Sequence, residues 1–268
     1  MGRWIGRYNR PPMSEVPQVA TRAELRPPEL ATLPGSEPTP AELFAFMAEA
    51  ELRFESLRLR IVDQRIGTDG EERETSEVWL RHAGWAKVVT TRGADGPSAG
   101  RDFDVWATDG QTVKTYDARN NLATSRHLPG PPAGATEEEL PGFARLYLPV
   151  TRLPSETVAD TFVHPHGFCR NVLATGKIRQ LGTALLAGKR EAIVLRCDHP
   201  RTSHVLTDRP DHWLEVAVDR QTGMMVLLAE HVGGRITRHA ETVSLALDEP
   251  IGDEAFRIHT SADTRTLY

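Results

Sequence analysis

The chain has few cysteines and no long apolar segment. Only Cys169 and Cys197 occur among 268 residues, which excludes a small domain held together by several disulfides. One bridge between these two residues remains open, because disulfide geometry cannot be read from a sequence. No run reaches the roughly 18 to 20 apolar residues of a membrane helix, so we expect no integral membrane segment.

Neither sign of charge is in large excess. The sequence has 32 Lys and Arg residues and 37 Asp and Glu residues. It therefore lacks the excess of basic residues that is typical of proteins that bind nucleic acids or anionic membranes. Hydrophobic residues make up 39% of the sequence, which is enough for a sizeable core. The N-terminus, "MGRWIGRYNRPPMSEVPQ", is basic but lacks the apolar stretch of a signal peptide. We therefore expect a cytoplasmic location as the sequence stands, and an extracytoplasmic one if the true start lies upstream.

The motifs of the common enzyme classes are also missing. The sequence has no Gly-x-Ser-x-Gly, no Walker loop and no Gly-x-Gly-x-x-Gly. Acidic pairs such as Glu71-Glu72 lie in polar, turn-like stretches that are typical of solvated charge runs. We therefore expect a protein that is not an enzyme and that needs no cofactor.

Two short segments are rich in histidine and cysteine. They are "HPHGFC", with His164, His166 and Cys169, and "CDHPRTSH", with Cys197, His199 and His204. Zinc accepts such ligands, but the spacings match no standard zinc motif. Core or surface histidines are the favoured interpretation and no metal is predicted, while a disulfide between the two cysteines and a metal site are the alternatives.

Residues 1–37 are rich in proline and show no periodic pattern, which predicts a mobile extension ahead of a single domain at 38–268. The domain begins with "TPAELFAFMAEAELRFESL". Thr39 as N-cap, Pro40 at the first helical position and Glu42 three residues after the cap form a capping box. The apolar residues that recur at helical spacing are Leu43, Phe46, Met47, Ala50 and Phe54. This pattern predicts an amphipathic helix.

After this helix the pattern alternates. In "SLRLRIVDQRI", Leu57, Leu59 and Ile61 alternate with more polar residues, as in a strand with one wet face. Similar segments follow at intervals of about ten residues, separated by turn signals such as Asp69-Gly70 and Asp109-Gly110. With the last segment, "EAFRIH", they predict about ten or eleven strands in an antiparallel meander.

A long Pro-rich segment interrupts the strands in mid-chain. It runs from "LPGPPAGATEEELPGF" to "SETVADTFVHPHGF" and is predicted to contain a loop and short helices. "SETVADTFV" is the best helical piece, because Ser155 can cap it and Val158, Phe162 and Val163 lie near one side.

The segment "WLEVAVDRQTGMMVL" predicts a hairpin. Leu214, Val216 and Val218 point to one face of its first strand, and Gly223 ends the turn with a positive φ. By itself the pattern predicts only a strand, a turn and a second strand.

The segments on either side of this hairpin allow a more specific interpretation of it. "GTALLAGKREAIVLRCD" lies upstream, "ETVSLALDEPIGDEAFRIH" lies downstream, and "FDVWATDGQTVKTYDARNN" supplies a strand, an Asp-Gly turn and a Tyr-Asp strand. Over roughly residues 40–260, this order resembles the LolA/LolB-like superfamily. That superfamily includes lipoprotein-sorting carriers, actinobacterial lipid-carrying lipoproteins and sensors of the RseB/MucB type.

The resemblance implies an α+β fold, in which a strongly curved, incompletely closed antiparallel β-barrel carries a helical lid over an apolar pocket. In the superfamily this pocket takes acyl chains or peptide segments, and the carriers lack catalytic residues. Our candidates for lining the pocket are Phe46, Met47, Phe54, Trp79, Trp85 and Trp106. The alternative for each of them is ordinary packing in the core or a position at the rim.

Two functions follow as hypotheses. The first is a non-catalytic protein that holds an acyl chain of a lipid or an acylated lipoprotein. The second is a regulatory sensor module of the RseB/MucB type that binds a partner protein. Such sensors usually carry a second, C-terminal domain, and because the chain ends soon after Phe256 we expect at most a shortened sensor.

Overall fold

The computed structural model places the chain in one open β-sheet with short helices against one of its faces. It describes residues 30–33, 37–67, 70–93, 102–128, 149–186, 188–201 and 211–267. Most of the predicted N-terminal extension and of the Pro-rich mid-chain segment lies outside the described residues, as do Asp69 and His204.

Helix α1, Pro40–Ala48, has the capping box that the sequence predicts. The Glu42 backbone N–H donates to Thr39 Oγ1 at 3.3 Å, and the Thr39 backbone N–H donates to Glu42 Oε2 at 2.8 Å. Its buried face consists of Leu43, Phe46 and Met47. The local start signal and the apolar spacing therefore agree with the fold.

The helix is shorter than predicted. The chain tightens into a 3-10 turn at Ala50–Arg53 and is extended at Phe54. The Arg53 guanidinium donates to the Phe46 carbonyl at 2.8 Å, which satisfies an acceptor at the end of the helix, and to the Ala31 carbonyl at 2.6 Å. One side chain thus holds the end of α1 and the chain that precedes it.

Twelve strands form the sheet, in the order β12-β6-β5-β4-β3-β2-β1-β11-β10-β9-β8-β7. Neighbours are antiparallel except β12 and β6, which are parallel. The strands are β1 Ser56–Gly67, β2 Gly70–Arg81, β3 Trp85–Arg92, β4 Phe103–Asp109, β5 Thr112–Asp117, β6 Leu122–His127, β7 Lys177–Leu186, β8 Arg190–Asp198, β9 His212–Asp219, β10 Met225–Val232, β11 Arg235–Leu247 and β12 Arg265–Leu267.

The two faces of the sheet differ in polarity. The inner face, which packs against the helices, includes Leu57, Leu59 and Ile61 of β1, and all three are buried as their alternation predicts. The outer face includes Arg58 and Arg60 of the same strand, which are exposed. The main core, which lies on one side of the sheet, therefore follows from a period of two, while Ala192, Ala217, Val226 and Leu227 form a smaller separate cluster.

The sheet curves and stays open. One cluster of buried side chains joins α1 to inner-face residues from β3 on one side and β8 on the other, so the sheet wraps around the helices. The order of the strands leaves β12 and β7 at separate edges. The predicted incompletely closed antiparallel sheet with helices on its concave side is confirmed.

The mid-chain helices begin later than predicted. Helix α2 is Val158–Val163, and its cap is Thr157, whose Oγ1 accepts from the Asp160 N–H, so the prediction of Ser155 as cap was wrong. Helix α3, His166–Asn171, contains most of "HPHGFC". In the described part of the chain, no helix combines the length and the apolar character needed to cross a membrane.

The segment "EAFRIH" does not form the predicted strand. Residues Asp253–Phe256 form a 3-10 turn, and the Phe256 ring lies 5.7 Å from that of Trp85 on the outer face. Arg81 donates to the Ile251 carbonyl at 2.9 Å and to Asp253 Oδ1 at 2.8 Å. Side chains rather than a ladder of backbone hydrogen bonds therefore hold this segment on the sheet.

The hairpin between β9 and β10 has the predicted turn. Asp219 is buried and accepts hydrogen bonds from the Thr222 N–H at 2.8 Å and the Thr222 hydroxyl at 2.6 Å. Arg190 pairs with the same carboxylate at 2.8 Å. Gly223 then takes a left-handed φ of 82°. The Asp-x-x-Thr-Gly segment thus forms a turn that is stabilised by hydrogen bonds between its own Asp219 and Thr222.

Candidate functional site

A groove of about 470 Å³ lies between the inner face of β3–β5 and the segment that leads into α2. Cross-strand neighbours form its floor in two rows. Val88, Trp106 and Thr115 are paired in the first row, next to the core. Thr90, Asp104 and Asp117 are paired in the second row, at the mouth. The floor therefore changes from mainly apolar to mainly charged within two residues along each strand.

The opposite wall comes from the lid segment, which we define as Pro154–Val158. Pro154 and Val158 present apolar groups and Glu156 presents a carboxylate to the groove. Thr157 closes the segment by donating from its hydroxyl to the Pro154 carbonyl at 2.8 Å. The wall is therefore amphipathic, as the floor is.

Charged side chains surround the mouth, and its two arginines are paired. Arg92 contacts Asp104, lies 3.5 Å from Asp102 and lies 3.8 Å from Glu74. Burial raises the pKa of Glu74 above its ordinary value, and the charge of Arg92 opposes that rise. Arg65 donates to Asp63 at 3.2 Å.

Asp63 is the most buried of these carboxylates, at 2% exposure. The Arg238 guanidinium donates to its two oxygens at 3.0 and 2.8 Å. This bidentate pair fixes the positions of two strands, β1 and β11, beside the groove. A second, more polar hollow of about 560 Å³ continues from here and shares Arg65, Glu74 and Arg92 with the groove.

The structure separates the six pocket candidates. Trp106 lines the groove, whereas Phe46, Met47 and Phe54 are at most 5% exposed and belong to the packed core. Trp79 and Trp85 lie on the outer face, where the Lys87 ammonium lies 5.7 Å from the centre of the Trp79 ring. They point outward because Trp79 pairs with Lys87 and Trp85 with Arg81, in the half-buried outer rows of β2 and β3.

The histidine and cysteine side chains that the structure describes do not come together in one site. Cys169 and Cys197 are buried free thiols, and the Cys169 Sγ contacts the Met47 Sδ at 3.6 Å while the Cys197 Sγ contacts the Leu173 carbonyl at 3.5 Å. Burial raises the pKa of the Cys169 thiol to about 12 and, with the nearby Asp198, that of Cys197 to about 11. Among the described residues, no group of three or more His, Cys, Asp or Glu side chains is placed to hold a metal ion.

The sequence did not predict a buried ionic cluster of Glu51, Asp160 and His164. His164 Nδ1 lies 2.8 Å from Asp160 Oδ1 and His164 Nε2 lies 3.3 Å from Glu51 Oε2, with the His164 and Glu51 side chains only 2% exposed. The Val150 N–H donates to the Glu51 carboxylate at 3.0 Å. The spacing of Asp160 and His164, four residues apart, predicts that their side chains are neighbours on a helix. The sequence around Glu51 gives no indication that this residue is buried.

The cluster holds α2 against the chain that follows α1. It joins the 3-10 turn after α1 to the chain at Val150 and to the C-terminal end of α2. Beside it, His82 Nε2 contacts the Glu51 carbonyl at 3.0 Å and His82 Nδ1 contacts the Thr151 hydroxyl at 2.7 Å. The buried position of these groups indicates a structural clamp rather than a reactive centre.

No protein-family model matches the sequence, and no curated protein matches it either. Solved structures do match it. MucB matches with 16% identity over 84% of this chain and 64% of its own, at a TM-score of 0.46. A chain of the Pseudomonas aeruginosa MucA/MucB complex matches with 16% identity over 82% of this chain and 61% of its own, at a TM-score of 0.44. A LolA superfamily protein from Nitrosomonas europaea matches with 9% identity over 82% of this chain and 98% of its own, at a TM-score of 0.30.

This chain therefore spans less than two thirds of the length of the MucB chains that it matches. The solved structures to which it is similar include a LolA superfamily protein and MucB, the two groups that the sequence resembles.

Proposed function

We propose that the protein is a non-catalytic binding protein that holds the acyl chain of a lipid or an acylated lipoprotein in the groove. The observation that carries this proposal is the row Val88, Trp106 and Thr115, which leaves a half-buried indole as the floor beneath the lid segment. A volume of about 470 Å³ falls within the usual range for small-molecule sites.

Burial of methylene groups supplies the affinity in this proposal. Each methylene removed from water contributes about 0.8 kcal/mol, so a segment of about five contributes about 4 kcal/mol before the entropy of binding is subtracted. The charged mouth keeps the polar end of the ligand in water. An amphiphile therefore fits the gradient along the floor better than a wholly apolar molecule does.

The lining of the groove supports binding rather than catalysis. Among the described lining residues there is no serine, cysteine or histidine, so the lining holds no Ser–His or Cys–His pair. The Thr115 hydroxyl is bonded to the Thr124 hydroxyl at 2.7 Å, and the two arginines are paired with carboxylates. These groups shape the site and orient a ligand.

Replacing Trp106 by Ala is expected to weaken the binding of an uncharged probe, monolauroylglycerol, about tenfold, because the aromatic floor of the groove is lost. Isothermal titration calorimetry measures the dissociation constant, and native mass spectrometry of protein purified without detergent tests for a bound lipid.

The matched control is Trp79→Ala, which removes an indole from the outer face and is expected to leave the dissociation constant unchanged. The proposal is wrong if the wild-type protein shows no saturable uptake and no co-purifying lipid. Equal losses of affinity in the two variants would also contradict it.

The open edge at β7 favours a second candidate function, a regulatory module that binds another protein. No described strand pairs with the free side of β7, and Leu181 and Leu185 are 54% and 69% exposed there. Unpaired backbone groups beside apolar side chains suit the addition of a partner strand.

In this second case, Leu185→Arg is expected to reduce the binding of a purified partner at least tenfold, because a charge replaces an apolar contact. The control, Ile66→Arg, changes a side chain that is 55% exposed at the distant end of β1. A binary complex reconstituted at one-to-one stoichiometry and equally stable with both variants would exclude the β7 edge.

A further inference from the structure

The mouth of the groove has more negative than positive groups. Glu74, Asp104, Asp117 and Glu156 line it, together with Arg65 and Arg92. The two guanidinium groups are already engaged, since Arg65 is bonded to Asp63 and Arg92 to Asp104. An anionic headgroup at this mouth would therefore be repelled by the carboxylates, and both arginines that line the mouth are already paired.

Two of the carboxylates are available to a ligand. Asp117 on β5 bonds to the backbone and side chain of Asn120 and forms no ion pair with any residue that the structure describes. Hydrogen bonds from Asn120 hold the pKa of Asp117 below its ordinary value, so it is ionised at neutral pH. Glu156, on the lid segment, likewise has no cation within 4.0 Å among the described residues. The pair thus places one carboxylate on each side of the groove.

We propose that the groove selects an amphiphile whose polar end is an amine over one that ends in a carboxylate or phosphate. The inference rests on the proposed function, because the apolar chain of the ligand must lie over Trp106 for its headgroup to reach the mouth. Asp117 and Glu156 are then the specificity-determining residues, and the apolar floor supplies affinity without regard to charge.

The expected selectivity follows from Coulomb attraction in a wet site. A carboxylate about 7 Å from an ammonium group in a water-like dielectric changes affinity about two- to threefold, so two carboxylates favour the amine about fivefold over a neutral headgroup. They disfavour a carboxylate headgroup by a similar factor. Salt at about 1 M screens charges beyond about 3 Å and should remove most of this difference.

Calorimetric titration with three probes of equal chain length, below their micellar concentrations, measures this selectivity. Dodecylamine is expected to bind about fivefold more tightly than monolauroylglycerol and dodecanoate about fivefold more weakly at low salt. The double variant Asp117→Asn/Glu156→Gln should bind all three alike while retaining the wild-type affinity for monolauroylglycerol, which also shows that it is folded.

The control Glu77→Gln/Glu241→Gln removes two carboxylates from the outer faces of β2 and β11 and should keep the selectivity. Dodecanoate binding as tightly as dodecylamine, or a preference for the amine that survives in Asp117→Asn/Glu156→Gln, overturns the inference and leaves the groove standing. Failure of all three probes to bind, or binding that is unaffected by Trp106→Ala, overturns the groove itself.

Discussion

Replacing Glu51 by Gln is expected to lower the free energy of unfolding at pH 7 by about 3 kcal/mol, because a buried His164 cation loses one of its two carboxylates and remains out of water. The amide keeps the shape of the side chain, and its carbonyl oxygen can still accept from the Val150 N–H. The loss therefore reports charge rather than volume. Equilibrium denaturation in urea measures it.

The pH dependence of the free energy of unfolding tests whether the charge of His164 supplies this stabilisation. Burial disfavours the charged imidazole, but the hydrogen bonds and charges of Asp160 and Glu51 outweigh it and raise the pKa of His164 from 6.5 to about 9. The folded state binds this proton more tightly than the unfolded chain does. The stabilisation is therefore complete below pH 6.5 and is lost as the pH rises through 9.

At about 1.4 kcal/mol for each unit of pKa, the wild-type protein should lose about 3 kcal/mol over this window. The difference between its stability curve and that of His164→Gln isolates this contribution from those of the other titrating groups. A wild-type curve parallel to that of the variant would contradict the ionic cluster.

The control for Glu51→Gln is Glu254→Gln. Glu254 pairs with Arg257 at 2.8 Å, but the two side chains are 71% and 65% exposed, so the loss should stay below about 1 kcal/mol. Equal losses in the two variants would mean that the clamp between α2 and the turn after α1 contributes no more than a surface ion pair.

The sequence predicts the sheet well because the signals for it are local. Leu57, Leu59 and Ile61 alternate within one strand, and the Thr39 capping box lies within four residues. Turn signals such as Asp109-Gly110 lie between consecutive strands, so an antiparallel meander follows without knowledge of any distant contact. Two pairings in the described sheet lie outside this rule, because β1 joins β11 and the short parallel β12 joins β6, each a strand far away in the chain.

The composition of the groove is a different case, because it depends on pairing between strands. Trp79, Trp85 and Trp106 have similar apolar and polar neighbours in sequence, yet the register places only Trp106 on the inner face. Glu51 is similar: an acidic residue in a polar stretch is usually exposed, and its burial follows from a histidine more than a hundred residues away. Such positions are fixed by tertiary contacts that a local pattern does not contain.

Replacing Gly223 by Ala in the β9–β10 hairpin is expected to lower the free energy of unfolding by about 2 to 5 kcal/mol. The left-handed φ of 82° costs a residue with a Cβ about 1 to 2 kcal/mol. An added Cβ would also lie 2.8 Å from the Phe46 carbonyl oxygen and 3.0 Å from the Phe46 ring, and relieving such overpacking costs about 1 to 3 kcal/mol more. Urea denaturation with fixed m values measures the sum.

Gly234→Ala separates the two contributions. Gly234 lies in the next hairpin with a φ of 73°, but an added Cβ there has nothing within 4 Å, so only the backbone strain of about 1 to 2 kcal/mol should appear. The difference between the two variants measures how closely α1 rests on the hairpin turn. If Gly223→Ala is no worse than Gly234→Ala, α1 moves away at little cost. The glycine of the Asp-x-x-Thr-Gly turn would then serve the turn alone, whereas a larger loss ties this turn to the seating of α1 on the sheet.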